Sequence, residues 1–112
     1  MGLSKQSSFT EDFQNLAHFS KMLSHPARLE ILKVLAERQT CVCGEIVDLL
    51  PLSQSTVSQH LKDLKLGGLV QGEIEGKHSC YCINWEALHE FHESYLDFYQ
   101  ELQKFKKETN CC

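Results

Sequence analysis

Between residues 88 and 105 the chain carries Leu88, Phe91, Tyr95, Phe98, Leu102 and Phe105, apolar positions spaced 3, 4, 3, 4 and 3 residues apart. This is an uninterrupted heptad stripe, and a helix bearing one buries it against another helix along its whole length. Asn84 suits the cap position, so the pattern predicts a helix over 85–108. With 112 residues the chain can build one hydrophobic core but not two. A core that small has little room left to cover so many aromatics. The stripe therefore reads as a dimer interface rather than as packing on the domain's own core alone. Its natural companion is a second apolar series, Phe9, Phe13, Leu16, Ala17 and Phe19, which predicts a helix over 9–23 with Thr10 as its cap.

Between these two helices the pattern changes several times. Ser24-His25-Pro26 breaks the first helix, and Pro26 fits the first turn of a second, which holds Leu29, Ile31, Leu32, Val34 and Leu35 and ends near Arg38. Residues 39–43 are short and β-prone, and 44–50 read as a brief amphipathic helix. Pro51-Leu52-Ser53 is a turn, with Ser53 placed to cap a helix over 54–66 whose inward positions are Val57, Leu61 and Leu64. Gly67-Gly68 should end it by supplying left-handed backbone. Residues 69–75 and 78–84 read as two strands joined by a tight turn at Gly76-Lys77. The expected fold is mainly α with a small β-hairpin wing, one domain spanning 1–112. It is a winged helix-turn-helix, with the helix-turn-helix at 44–66 and the wing at 69–84, flanked by dimerisation helices at 9–23 and 85–108.

Composition narrows the function. Hydrophobic residues make up 42% and charged residues 23%, as in a soluble globular domain. No apolar run approaches the roughly 18–20 residues of a membrane span, and the polar start of the chain lacks the apolar stretch of a signal peptide. The expectation is a cytoplasmic protein with no membrane partner. A net charge of −4 first argues against nucleic acid. Distribution matters more: Glu86, Glu90, Glu93, Asp97, Glu101 and Glu108 crowd the last third, leaving a near-neutral middle with Arg28, Lys33, Arg38, Lys62, Lys65 and Lys77. DNA affinity should be modest per protomer and should need a dimer. The chain has no phosphate loop, no nucleophile elbow and too little sequence around its cysteines for a substrate cleft, so an enzyme is not expected.

The predicted helix at 54–66 has the character of a DNA-reading element. With Val57, Leu61 and Leu64 inward, Gln54, Ser55, Ser58, Gln59 and Lys62 face outward, and Thr56 and His60 lie at the flanks. Small polar side chains let the backbone approach base edges and phosphates, and Gln pairs bidentately with adenine.

Three stretches together are distinctive: Leu23-Ser24-His25-Pro26-Ala27-Arg28-Leu29-Glu30-Ile31-Leu32, then Leu52-Ser53-Gln54-Ser55-Thr56-Val57-Ser58-Gln59-His60-Leu61, then Gly68-Leu69-Val70. Over roughly residues 16–88 the chain resembles the ArsR/SmtB family of metalloregulatory repressors. The resemblance implies a homodimer that binds a palindromic double-stranded operator and releases it when an inducer binds. It places Ser55, Thr56, Ser58, Gln59 and His60 in the recognition helix and Lys77 at the tip of the wing. Glu73 and Glu75 beside Gly76-Lys77 depart from the basic wings frequent in the family and weaken the case for a wing contact with phosphate.

The six cysteines form three close pairs, Cys41/Cys43, Cys80/Cys82 and Cys111/Cys112. Adjacent cysteines sit ~3.8 Å apart at Cα, below the disulfide range, and an extended Cys-x-Cys pair sits about 6.5–7 Å apart, at its upper limit. Close spacing thus favours chelation over a bond within a pair. In the arsenic-sensing branch that the chain resembles, Cys41-Val42-Cys43 stands where inducer ligands are found. Thiolates suit thiophilic ions such as As(III) or Sb(III). Ile46 stands where that branch carries a further cysteine, and the N-terminal arm lacks the cysteines of the lead- and cadmium-sensing branch. The missing ligands are expected from Cys80 and Cys82, because the short strand before the first reading helix of a winged helix pairs with the second wing strand. Three sulfurs would suit arsenic or antimony, and four in a tetrahedron zinc or cadmium. Cys111 and Cys112 are a second source of ligands.

Two alternatives remain open at this point. Facing cysteines on antiparallel strands lie about 4.5–5.5 Å apart at Cα, which suits a disulfide and a redox-sensing repressor. A structural zinc site in an interaction module that does not read DNA is the other. Glu86, His89, His92 and Glu93 have helical ligand spacing but do not match the family's zinc pattern, so charged surface is the expected reading there.

Overall fold

The computed structural model describes residues 9–38, 42–43, 49–73 and 80–107. Helix α1 (Glu11–Met22) starts where Thr10 is extended and its hydroxyl accepts from the Phe13 N–H at 3.3 Å. Glu11 and Asp12 in the first turn and Lys21 in the last complement the helix dipole. Helix α2 (Pro26–Arg38) opens on the proline and buries Arg28, Ile31, Leu32 and Leu35. Strand β1 (Val42–Cys43) follows. Of the brief helix expected at 44–50, residues 44–48 lie outside the described residues, and Leu50 packs into the core.

Helix α3 (Gln54–Leu66) is capped by Ser53, whose Oγ accepts from Thr56 N–H, and it buries Val57, Leu61 and Leu64. At its exit the left-handed backbone expected of Gly67-Gly68 falls on one residue of the pair. Gly67 is right-handed at φ −78°, and Gly68 alone is left-handed at φ 91°. One such residue is enough: Gly68 N–H bonds Lys65 O at 3.1 Å and Leu69 N–H bonds Leu64 O at 3.0 Å. That bond pair satisfies two orphan carbonyls, and its customary apolar contact is made by Leu64 and Leu69, both fully buried.

Strands β2 (Val70–Glu73) and β3 (Cys80–Ile83) pair antiparallel, and β1 joins the other edge of β3, giving the order β1-β3-β2. Of the expected strands over 69–75 and 78–84, Leu69 and Asn84 lie outside β2 and β3, while residues 74–79, with the Gly76-Lys77 turn, lie outside the described residues. Gly72, at φ 139°, lies so close to the Cys80 carbonyl oxygen that a Cβ there would collide with it. Burial alternates along β3, with Tyr81 and Ile83 in the core and Cys80 and Cys82 half-buried on the other face.

Helix α4 (Trp85–Gln103) is capped by Asn84, whose Oδ1 accepts from Ala87 N–H at 3.2 Å. It ends short of the expected residue 108, with Lys104 as its cap. Phe105, the last of the stripe, is 77% exposed and gives the final turn nothing to pack on. Neither α1 nor α4 buries a single residue. They lie against each other through Phe13–Phe98, edge to face at 5.6 Å, and Phe19–Phe91 at 6.1 Å. Tyr95, Tyr99 and Leu102 remain exposed along α4. No helix among the described residues is long and apolar enough to cross a membrane.

Candidate nucleic-acid interface and cysteine face

Helix α3 lies on the domain with Val57, Leu61 and Leu64 inward, so its other face is open to solvent by geometry. Gln54, Ser55, Thr56, Ser58, Gln59 and Lys62 are all exposed there, as the spacing predicts. At its start, Ser53 Oγ lies 2.9 Å from Thr56 Oγ1 and 3.2 Å from Ser55 Oγ. This hydroxyl cluster fixes three small polar side chains at the helix N-terminus, where exposed N–H groups and the dipole favour an anion such as phosphate.

His60 departs from the others. It is half-buried, and its Nδ1 accepts from Arg28 Nε at 3.1 Å. Its ring leans on His25, with centroids 5.4 Å apart. Only Nε2 is then left to face outward. Burial, followed by the Arg28 and His25 charges, holds the His60 pKa below its ordinary 6.5, while Asp63 opposes them. The Nδ1 acceptor role requires the neutral ring, in agreement with that direction.

Arg28 is the one buried charged residue among those described, and it also pairs with Asp63 Oδ2 at 3.0 Å. The other Asp63 oxygen, Oδ1, accepts from Gln59 Nε2 at 3.0 Å. Sequence reasoning missed this chain of contacts from α2 to the open face of α3. No local pattern marks Arg28 and Asp63 as partners, although the i, i+4 spacing of Gln59 and Asp63 is that of a helical pair.

The exit of α3 is tied to the sheet and to α4 by one residue. Asn84 N–H bonds Leu69 O at 2.9 Å, its Nδ2 donates to Gly68 O at 3.0 Å, and its Oδ1 caps α4. Cys82 is two residues before it. Across β1 and β3, Cys43 is the Cα partner of Cys80 and Val42 that of Tyr81, the adjacency expected from the topology. On the other side Glu73 faces Cys80 and Gln71 faces Cys82. Cys80 is disulfide-bonded, and Cys82 is half-buried beside it on the same face of β3. Cys41, Lys77, Cys111, Cys112 and the Cys43 side chain lie outside the described residues. Among the described residues no three His, Cys, Asp or Glu side chains converge as a metal site. On α4, His89 and Glu93 are 3.8 Å apart on open surface, as expected for charged exterior.

The sequence model of the bacterial regulatory protein arsR family matches residues 25–71, from the start of α2 through β2. A helix-turn-helix-type transcriptional regulator of Methanocaldococcus jannaschii, itself uncharacterised, is 42% identical over 74 residues, covering 65% of this chain and 82% of its own. The chain belongs to the ArsR family. The arsenical resistance operon repressor of Staphylococcus xylosus is 36% identical over 76 residues, 68% of this ArsR chain and 72% of the repressor. A homodimeric winged helix-turn-helix DNA-binding domain from Mycobacterium bovis, solved in solution, superposes with a TM-score of 0.59 at 27% identity. That superposition covers 87% of this chain and 90% of the other. The mainly helical winged fold is thus shared. As an ArsR protein the chain is a transcriptional regulator, not an enzyme.

Proposed function

We propose that this ArsR protein is a cytoplasmic homodimeric repressor, one domain per protomer, that releases its operator when As(III) or Sb(III) binds cysteine thiolates. The DNA contacts are assigned to Gln54, Ser55, Thr56, Ser58, Gln59, His60 and Lys62 on α3, with Lys77 in the wing. Two copies of α3 then enter successive major grooves about 34 Å apart. The exposed apolar residues of α1 and α4 supply the dimer contact, in keeping with the homodimeric relative.

The observation that carries the sensor reading is the register of Cys43 against Cys80. It sets Cys43 beside the strand that carries Cys80 and Cys82, which share the face turned away from the core. In this reading Cys41 completes the set with Cys43, Cys80 and Cys82, three thiolates serving arsenic or antimony and four serving zinc or cadmium. The similarity to the Staphylococcus xylosus repressor favours the arsenical inducer. Ligand drawn onto Cys82 acts two residues from Asn84, which holds both the exit of α3 and the start of α4. A shift in β3 therefore changes the angle between reading helix and dimer helix. Coupling of ~1–3 kcal/mol, typical of allosteric sites, would weaken operator binding about 5- to 150-fold.

A second reading has its own observation: Cys80 is disulfide-bonded. Oxidation of two facing thiols to a disulfide, with an external oxidant taking up the two electrons and two protons, would then be the releasing event. Operator release followed by fluorescence anisotropy under reducing conditions separates the two. Arsenite, antimonite, cadmium and zinc are titrated into the wild type and Cys41→Ser. Release by arsenite or antimonite that the variant abolishes supports the thiolate sensor. No release by any ion, with release on oxidation that Cys80→Ser abolishes, supports the redox repressor.

A further inference from the structure

Resting on the assignment of α3 as the reading helix, we propose that Asp63 is a specificity-determining positioning residue, fixing the Gln59 amide in the one orientation that reads adenine. Asp63 does not face the open surface as a free charge. Its Oδ2 is held at 3.0 Å by Arg28 Nη2, and its Oδ1 takes the Gln59 Nε2 at 3.0 Å. Arg28 is in turn fixed through Nε on His60 Nδ1 and is 8% exposed. The exposed amide is therefore keyed, through one carboxylate, to a buried guanidinium that α2 extends onto α3.

The chemistry leaves no freedom of assignment. A carboxylate only accepts, so the NH2 side of the Gln59 amide must face Asp63 and its carbonyl oxygen must face away. An unrestrained glutamine flips about its last torsion and offers donor and acceptor in either order. Held by Asp63, Gln59 presents Oε1 as an acceptor beside the single remaining Nε2 proton. That pattern complements the adenine edge, where the N6 amino group donates and N7 accepts. Guanine offers two acceptors, O6 and N7, and would set O6 against Oε1. Asp63 thus converts an ambiguous reader into one that rejects guanine without touching the base itself.

Selection of binding duplexes from a randomised pool tests this, using the full chain, Gln59→Ala and Asp63→Asn. Gln59→Ala identifies the half-site position that Gln59 reads, as the position whose preference disappears. In the wild type that position should be adenine, favoured over guanine by about 5- to 150-fold, the range for a good bidentate pair. Asp63→Asn both donates and accepts, so the amide can flip. The adenine preference should fall away at that position alone, with other positions and the salt dependence of binding unchanged, which a merely structural role would not produce. An unchanged adenine preference in Asp63→Asn overturns the proposal, as does any base other than adenine at the Gln59 position of the wild type. Failure of the wild type to enrich any duplex overturns the reading-helix assignment and the proposal with it. Should Asp63→Asn not fold, the Gln59 side-chain amide of the free wild-type protein decides by NMR. One proton shifted downfield and slowed in exchange is the expected result, and two fast-exchanging, unshifted protons would overturn it.

Discussion

Arg28 Nε donates to His60 Nδ1 at 3.1 Å, and this one bond ties the second helix of the domain to the helix that carries its exposed polar face. It exists only while His60 is neutral, because a protonated imidazole has no acceptor to offer. This contact between α2 and α3 is thus conditional on pH.

The sign follows from linkage. His60 has a folded-state pKa below 6.5, lowered by burial, by Arg28 and by the neighbouring His25, with Asp63 acting the other way. Its contribution to stability is therefore present in full above the unfolded value and is lost as pH falls through the folded one. Urea denaturation of the wild type should show a midpoint that declines as pH drops below 6.5, and His60→Gln should show a shallower decline over the same window. Parallel profiles for the two proteins would mean that other groups set the acid sensitivity.

Removing the arginine should cost more than removing the histidine. Arg28→Ala deletes a bond to His60 and one to Asp63, and leaves that carboxylate, 33% exposed, without its cation. Partial hydration of Asp63 keeps the loss nearer to that of a charged hydrogen bond than of a fully buried pair, about 2–3 kcal/mol. Arg28→Lys keeps the charge but not the fork, and should recover only part of it. Equilibrium urea titration measures both, and an Arg28→Ala variant as stable as the wild type would remove Arg28 from the account.

Why was so much of the fold legible from sequence, and this network not? Helix α3 announces itself by Ser53 as cap and by Val57, Leu61 and Leu64 at 4 and 3 residues, and the structure buries those three. The β1–β3 adjacency follows from winged-helix topology and holds at Cys43 and Cys80. Local signals of this kind act over a few residues. Arg28 and Asp63 are 35 residues apart and polar, so no periodicity marks them as partners. The choice of Gly68 over Gly67 as the left-handed residue likewise depends on where Leu69 must sit in the core. The four cysteines of the candidate sensor stand out by their spacing alone. The described residues locate the Cys43 backbone, Cys80 and Cys82, and Cys41 lies outside them.

Gly72 is where the sheet tolerates least. Its φ of 139° is unfavourable for any side chain, and a Cβ there would collide with the Cys80 carbonyl. Gly72→Ala must therefore push β2 from β3 and should cost about 1–3 kcal/mol. Because Cys80 is the residue displaced, the variant should also change the reactivity of the cysteine face. A thermal melt and a thiol-labelling rate under reducing conditions check the two effects, and a wild-type melting temperature would count against the clash.

The heptad stripe of α4 is only partly covered within the protomer. Tyr95 and Leu102 are each 54% exposed within the protomer, whereas Phe91 and Phe98 are engaged by Phe19 and Phe13 of the same chain. If α1 and α4 form the homodimer contact, charge at the first two positions should separate subunits without unfolding them. Sedimentation equilibrium should show Leu102→Glu and Tyr95→Glu shifted towards monomer, with circular dichroism unchanged. Phe98→Ala should instead cost protomer stability, on the order of 3 kcal/mol if its burial is completed in the dimer and less if it stays half-exposed. Operator affinity should fall steeply in the two Glu variants, because a monomer contacts one half-site and loses the effective concentration that links two. A dimer that survives both substitutions would place the interface elsewhere on the molecule and leave the heptad stripe of α4 without a partner.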